Sequence, residues 1–417
     1  MERNHEIVII GAGFAGLSLA KKLIKANFEV LLIDKNNYHT FQPLLYQVAT
    51  GGLEPSNIAY PIRRIFREEK NIRLLMAEVQ EILPSENKIK TSLGEVGYRH
   101  LIIATGSTNN FFNFEPIKEY FLPLKSVPDA LKIKAHIVNN LERLNMQDET
   151  AIDELMNIAV IGAGPAGVEI AGILAEMKHK VLPKDYPEFD FDRMNIYLFE
   201  AKDKVLPVMS EKSSTYSLKY LQELGVDVLL GTMVKDFDER KIMLESGESY
   251  YCNTVIWTAG VKGAPVNGLE QELIDRGNRI LVNKFNQVLP YQNIYAIGDV
   301  AAHYDTENPR GLPMLAQVAI QQGSHLAKNL INLRQGKTLV PFAYQDKGVM
   351  ATVGKNKAVV ELPKLKLQGF IAWFIWMFVH LLALIGFRNR IITVIDWIQN
   401  YANYDRPLSA IFRRYEN

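Results

Sequence analysis

The sequence predicts an α/β chain: two parallel-sheet domains, the second inserted in the first, followed by a C-terminal helical region. Three observations carry this. A strand–turn–helix–strand pattern occupies Ile7–Asp34 and returns between Ile158 and Glu200, each time with the spacing Gly-x-Gly-x-x-Gly at the turn. Two buried-strand patterns, at 100–106 and 254–260, end on Ala-Thr-Gly and Thr-Ala-Gly. The stretch 369–387, GFIAWFIWMFVHLLALIGF, contains no Asp, Glu, Lys or Arg.

In the first pattern, Ile7, Val8, Ile9 and Ile10 form an apolar run of the kind found in strands buried on both faces. Gly11 allows the tight turn that follows, Gly13 lets the backbone approach a pyrophosphate, and Gly16 lets helix and strand pack closely. The helix carries Leu17, Ala20, Leu23 and Ile24 on one side, and its N-terminus offers free N–H groups to an anion. Val30–Ile33 ends on Asp34, where a carboxylate can accept both ribose hydroxyls. In this full context the glycine spacing reads as a dinucleotide site and the domain as Rossmann-like.

Residues 36–66 are aromatic-rich and broken by Pro43, Gly51, Gly52, Pro55 and Pro61. Their apolar content points to a segment folded over a large ligand. Ile72–Ile82 and Lys88–Thr91 read as strands of a small hairpin or meander. The strand pattern at 100–106 brings Thr105 and Gly106 to its end, a chemistry that permits close backbone approach to the first dinucleotide. Residues 108–127 read as a linker and 128–145 as a helix.

The second fingerprint, Gly162, Gly164 and Gly167, leads through an apolar helix to a strand, Ile196–Phe199, closing on Glu200. The charged, proline-punctuated segment 178–193 is an excursion that makes this interval longer than the usual ~20 residues. Thr254–Gly260 mirrors the earlier strand and ends on Ala259 and Gly260. Asn293–Asp299 is a third buried strand ending in Gly298 and Asp299, followed by a helical stretch over 312–330. The expected organisation is therefore 1–120 and 290–340 for the first domain, 121–289 for the second, and 341–417 for short strands plus the helical tail.

Composition narrows the chemistry. The 417 residues include 47 Lys and Arg against 46 Asp and Glu, so no global field favours nucleic acid. The single cysteine, Cys252, excludes an intramolecular disulfide and a Cys-x-x-Cys redox pair. There is no Ser-His-Asp order and no metal-ligand cluster, so no metal is expected. Two dinucleotide folds in one chain imply two dinucleotides brought face to face, in redox chemistry most often FAD and a nicotinamide. Hydride transfer between them needs stacking with reacting atoms ~3–3.5 Å apart rather than a nucleophile. A carboxylate at Glu200 accepts hydrogen bonds from an adenosine 2′-OH and repels a 2′-phosphate, which favours NADH over NADPH.

At ~1.5 Å per residue the uncharged stretch 369–387 is near the lower limit for a bilayer span. Its aromatic residues on several faces would need protein on every side to be a core helix. The expected role is a monotopic membrane anchor; a transmembrane span is the alternative. Ile391, Val394, Ile395, Ile398 and Tyr401 mark an amphipathic helix behind it, and Arg388, Arg390, Arg406, Arg413 and Arg414 a basic collar for anionic headgroups. Nothing after residue 363 resembles a strand of either sheet, so the tail reads as separable from both folds. The N-terminal apolar run is too short for a signal-peptide core, so the chain is expected on the cytoplasmic side.

FQPLLYQVATG (Phe41–Gly51), GAGPAGVE (Gly162–Glu169), AIGD (Ala296–Asp299), AQVAIQQG (Ala316–Gly323) and KGVMATVG (Lys347–Gly354) add to the paired fingerprints. On these the chain resembles the two-dinucleotide-binding-domain flavoproteins and, more closely, the type II NADH dehydrogenases, single-subunit NADH:quinone oxidoreductases that do not pump protons. The resemblance covers essentially the whole chain. It implies non-covalent FAD on the first fold, held by Gly11, Gly13, Phe14, Ala15, Gly16, Asp34, Lys35, Pro43, Leu44, Thr105, Gly106, Gly298 and Asp299. It implies NADH on the second, at Gly162, Gly164, Pro165, Ala166, Gly167, Glu200, Ala259 and Gly260. Glu169 matches a carboxylate near the nicotinamide–flavin junction, Gln317 and Gln321 match glutamines beside the quinone pocket, and Lys347 matches a lysine near the flavin. The implied partners are NADH, a membrane quinone and the lipid bilayer at the cytoplasmic face of the cell membrane, with a homodimer left open. Sulfide:quinone reductases, close cousins, need cysteines that this chain lacks. The rival readings are a soluble-type reductase of a protein electron carrier and, from another class, a membrane sensor that binds FAD and NAD without turnover.

Overall fold

The computed structural model describes residues 4–146 and 149–403, so Arg406, Arg413 and Arg414 lie outside the described residues. The chain forms two compact units. The first comprises residues up to His39, Tyr60–Asn109 and Val261–Asp346; the second comprises Thr40–Ala59, Asn110–Gly260 and the chain from Lys347 onward.

The first unit is built around β1 (Asn4–Ile10), which leads through α1 (Phe14–Lys25) to β2 (Val30–Asp34) and then a short strand, β3 (Tyr38–Thr40). Its sheet continues with β4 (Ile72–Met76), β5 (Val79–Leu83), β6 (Lys88–Thr91) and β7 (Gly94–Ile103). β1 pairs in parallel with both β2 and β7, and β4 pairs in parallel with β2. Only β5, β6 and β7 form the expected antiparallel meander. The stretch Ile72–Ile82 is therefore two strands with different partners. Period-2 patterning identifies a strand but not its neighbour; here the preceding crossover returns the chain to the far edge of β2.

In the second unit the expected linker is structured. Phe111 and Phe121 pack on Trp257, Phe121 at 4.9 Å between ring centroids, and Leu122–Pro123 is an edge strand, β8. Aromatic burial against a distant strand overrides the proline signals. α2 (Val127–Arg143) starts with a reciprocal cap: Asp129 N–H donates to Ser126 Oγ, and Ser126 N–H donates to the Asp129 carboxylate. Then follow β9 (Ile158–Ile161), α3 (Pro165–Lys180), β10 (Ile196–Phe199), β11 (Val226–Leu229) and β12 (Thr254–Trp257). The sheet order is β8-β12-β9-β10-β11, all parallel. The excursion at 178–193 is ordered: α3 runs on to Lys180, a one-turn helix spans Leu182–Asp185, and Tyr186 donates to the Glu142 carboxylate at 2.8 Å.

The first unit resumes with β13 (Ile294–Ala296), parallel to β7, and α4 (Ala316–Arg334), which lies against α1. The two helices approach so closely that a Cβ at Gly323 would lie 2.4 Å from the Ala15 carbonyl oxygen.

The second unit ends in three antiparallel strands, β14 (Val349–Thr352), β15 (Ala358–Leu362) and β16 (Leu365–Gln368), and two helices, α5 (Phe370–Ala383) and α6 (Phe387–Asn403). The third strand is absent from the sequence reading because Lys366 within it and Lys364 before it mask it. The uncharged stretch does not form one helix: α5 stops at Ala383, and Gly386 adopts φ 88° before α6 begins. No helix among the described residues is long and apolar enough to cross a membrane, which removes the transmembrane alternative for this segment.

Candidate functional site

At the turn between β1 and α1, three glycines meet three different surroundings. A Cβ on Gly11 (φ +103°) would lie 2.3 Å from the Ala104 carbonyl oxygen, and one on Gly16 would lie 1.9 Å from that of Gly11. A Cβ on Gly13 would meet nothing within 4 Å. The first and third glycines are required by the protein's own packing, whereas the second faces open space at a helix N-terminus, the geometry that admits a phosphate. Asp34 accepts the N–H of Ala12 through Oδ2 and that of Asn36 through Oδ1, both at 2.7 Å. Burial raises the Asp34 carboxyl above its ordinary value, and these two N–H groups pull against the shift.

The rest of this rim comes from β7, β13 and α4. The buried Thr105 Oγ1 has no hydrogen-bond partner among the described residues, and a Cβ on Gly106 would point into open space. Ser107 Oγ donates to Asp299 Oδ2 at 2.6 Å, and Gly298 N–H donates to Gln322 Oε1 at 2.7 Å. Ala15 packs beneath Gly298, and Phe14 meets His39 edge-on, while Lys35 is exposed. An open glycine backbone, an orphaned hydroxyl and a strand-end carboxylate fit the pyrophosphate and ribose of an adenine dinucleotide. Pro43 and Leu44 belong to the second unit, Leu44 fully buried in a single turn at Gln42–Leu44.

The second unit repeats the arrangement. A Cβ on Gly162 would lie 2.5 Å from the Ala259 Cα, one on Gly167 1.8 Å from the Gly162 oxygen, and one on Gly164 would again meet nothing. Glu200 accepts Ala163 N–H at 2.8 Å and Lys202 N–H at 3.0 Å. β10 enters in register with β9, Ile158 beside Ile196, so Glu200 reaches the place relative to Ala163 that Asp34 holds relative to Ala12 despite the longer connection. Pro165 and Ala166 are exposed at the start of α3, and Gly260 faces the Phe112 ring.

Glu169, one turn into α3, is buried rather than solvated. Burial pushes its carboxyl up to about 8, against a 3.4 Å hydrogen bond from Thr352 N–H. Trp376 is 2% exposed, stacks on His380 at 4.0 Å and lies 6.5 Å from Tyr46. α6 grips the same region. Trp397 donates to Gln47 Oε1 at 2.8 Å, Gln47 donates to the Tyr46 hydroxyl, and Asn389 Nδ2 donates to the carbonyls of Ser56 and Asn57. Within the 36–66 segment expected to fold over a ligand, Gln47, Gly52, Ser56 and Asn57 are instead bonded by the last helix.

On α4, Gln317 and Gln321 lie one turn apart. The Gln321 amide is committed to a reciprocal pair with the Gln345 backbone, donating to its oxygen at 2.9 Å and accepting its N–H at 3.0 Å. Lys347 is exposed at the start of the second unit's last segment. Sequence reasoning missed Gln322, Trp376, Trp397 and His39. Gln322 stood inside a quoted motif, and only its partner, Gly298, was flagged. Cys252 is buried with its thiol pushed up to about 12, so it is not a thiolate nucleophile. Among the described residues no group of His, Cys, Asp and Glu could hold a metal ion.

Residues 5–323 match the pyridine nucleotide-disulphide oxidoreductase family, and residues 347–402 match the NDH2 C-terminal domain. The chain is 34% identical over 422 residues to a type II NADH:quinone oxidoreductase of Mycobacterium tuberculosis, an alignment covering 97% of this chain and 89% of that one. It is 30% identical over 363 residues to one from Staphylococcus aureus, covering 85% and 89%. In fold it resembles the NDH2 structure of Plasmodium falciparum in complex with NADH, with a TM-score of 0.88 at 22% identity, covering 97% of this chain and 100% of that one. The sulfide:quinone oxidoreductase of Aquifex aeolicus is similar at a TM-score of 0.73 and 19% identity, covering 95% of each chain. The chain therefore belongs to the type II NADH:quinone oxidoreductases, within the pyridine nucleotide-disulphide oxidoreductase family.

Proposed function

We propose that the protein is an FAD-dependent NADH:quinone oxidoreductase, with FAD on the first fold, NADH on the second, and a membrane quinone as electron acceptor. The observation that carries this reading is the doubled grip: Ala12 held by Asp34 and Ala163 held by Glu200, each beside a glycine that opens onto free space. When bound, FAD supplies an acceptor for the hydride of NADH and a donor of two electrons to a quinone. The chain's own residues orient and protonate. Gly13 and Gly164 admit the two pyrophosphates, and Asp34 and Glu200 accept ribose hydroxyls. Glu200 disfavours a 2′-phosphate and so selects NADH. Glu169, with its carboxyl pushed up to about 8, holds a proton at neutral pH in a buried site and can release it. Gln317 orients the quinone, and Gln321, paired with the Gln345 backbone, fixes the segment beside it.

The membrane reading rests on which faces of the last two helices are exposed. Phe370, Phe374, Phe378 and Leu382 of α5, and Ile391, Ile395 and Ile398 of α6, present apolar side chains outward. The polar face of α6, with Asn389, Thr393 and Asn400, turns toward the protein and bonds to it. This inversion of the usual amphipathic arrangement supports a monotopic seat on a membrane, the phase in which a lipid-soluble quinone is dissolved.

Steady-state NADH oxidation by the purified full-length protein with a short-chain quinone tests the reading. Quinone-dependent turnover by a yellow protein is the expected result. NADH binding without turnover favours the sensor, and turnover only with a protein carrier favours the soluble-type reductase.

A further inference from the structure

The two nucleotide folds hold the same peptide with different donors. In each, the N–H of the alanine between the first two glycines goes to the strand-end carboxylate. The carbonyl of that alanine is buried in both and also needs a partner, because an unpaired buried backbone oxygen is costly. In the second fold a backbone N–H, that of Leu206, donates to the Ala163 oxygen at 2.8 Å. In the first fold a side chain does so: His39 Nδ1 lies 3.0 Å from the Ala12 oxygen. A carbonyl oxygen can only accept, so Nδ1 carries the proton. The imidazole is 4% exposed and its edge-on contact with Phe14, 5.1 Å between centroids, holds the ring plane. Burial, aided by the positive charge of Lys21, keeps His39 below its ordinary value and hence neutral near pH 7.

The Ala12 carbonyl and the Gly13 N–H belong to one planar trans peptide, so fixing the oxygen fixes the opposite direction of the hydrogen. We propose that His39 is a positioning residue for FAD: by holding the Ala12 oxygen it aims the Gly13 N–H into the open space where the pyrophosphate binds. The assignment of FAD to the first fold, made above, is a premise. The nicotinamide fold does the same with main chain alone, so only the flavin site depends on a side chain for this peptide.

Two substitutions separate the donor from the ring. His39→Asn keeps an amide N–H two bonds from Cβ, where Nδ1 stands, and gives up the ring. His39→Phe keeps the ring against Phe14 and gives up the donor. Dissociation of FAD from the full-length holoprotein is read as the rise of free-flavin fluorescence on dilution, with NADH affinity measured in parallel. FAD should leave the Phe variant roughly tenfold faster than wild type, while the Asn variant stays near wild type and both keep wild-type NADH affinity. Should the Phe variant not fold by circular dichroism, His39→Gln replaces it, since its amide sits one bond too far out. A Phe variant that retains FAD like wild type, or an Asn variant that loses it as fast as Phe, overturns the proposal. Wild-type protein of native fold that carries no FAD overturns the flavin assignment and this proposal with it.

Discussion

The indole N–H of Trp397, near the end of the last helix, donates to Gln47 Oε1 at 2.8 Å across 350 residues of chain. Together with the buried Trp376, it makes the C-terminal helices part of the second unit's core. Trp397→Phe should cost about 1 kcal/mol, the net value of one hydrogen bond, and lower the melting temperature by about 2–4 °C. Truncation before Phe370 removes Trp376 as well and uncovers the buried helix Leu45–Ala49. The truncated chain should lose its cooperative thermal transition by circular dichroism, rather than persist as an intact enzyme freed from membranes. A truncated protein melting like wild type would show the tail to be a detachable anchor.

Glu169 carries a second prediction. Its folded-state value of about 8 lies above the ordinary 4.5, so between these the folded state binds the proton and the unfolded state does not. Stability is therefore greatest below pH 4.5 as far as this group is concerned, and falls as pH rises through the window to about 8. The slope is at most about 1.4 kcal/mol per pH unit. Glu169→Gln cannot ionise, so urea midpoints measured from pH 5 to 9 should fall less steeply than those of wild type. The same substitution should remove a pH limb near 8 from quinone reduction while sparing flavin reduction by NADH. Superimposable stability profiles for the two proteins would place the Glu169 ionisation outside this window.

Glu200 accepts two backbone N–H groups, from Ala163 and Lys202, so its role in cofactor choice is coupled to loop shape. In Glu200→Gln one side-chain atom becomes a donor and meets an N–H, while the charge that repels a 2′-phosphate is gone. The ratio of kcat/KM for NADH to that for NADPH should fall by about 1–3 kcal/mol, with the KM for NADH rising. A wild-type enzyme that uses NADPH as well as NADH would remove Glu200 as the discriminator.

The sequence by itself determined much of what depends on neighbours a few residues away. The two glycine turns, the strands that feed them and the residues closing them, Asp34 and Glu200, all fall within local patterns whose spacing is dictated by backbone geometry. The exposed stripe of Ile391, Ile395 and Ile398 was likewise legible, because helical periodicity is local. Tertiary structure alone decided the partners. Ile72–Met76 has a strand's pattern but joins β2 only because of the crossover before it. The proline-rich stretch at 108–127 reads as a linker until Trp257 arrives to stack on Phe121. Glu169 is singled out in the sequence only by the family resemblance, and its burial as an acid appears once Thr352 and Trp376 close over it from far along the chain. His39 is invisible as a functional residue because its partner, the Ala12 oxygen, is a backbone atom that no sequence pattern marks. Burial and hydrogen-bond satisfaction are properties of the packed whole, so they emerge only when distant segments share a surface.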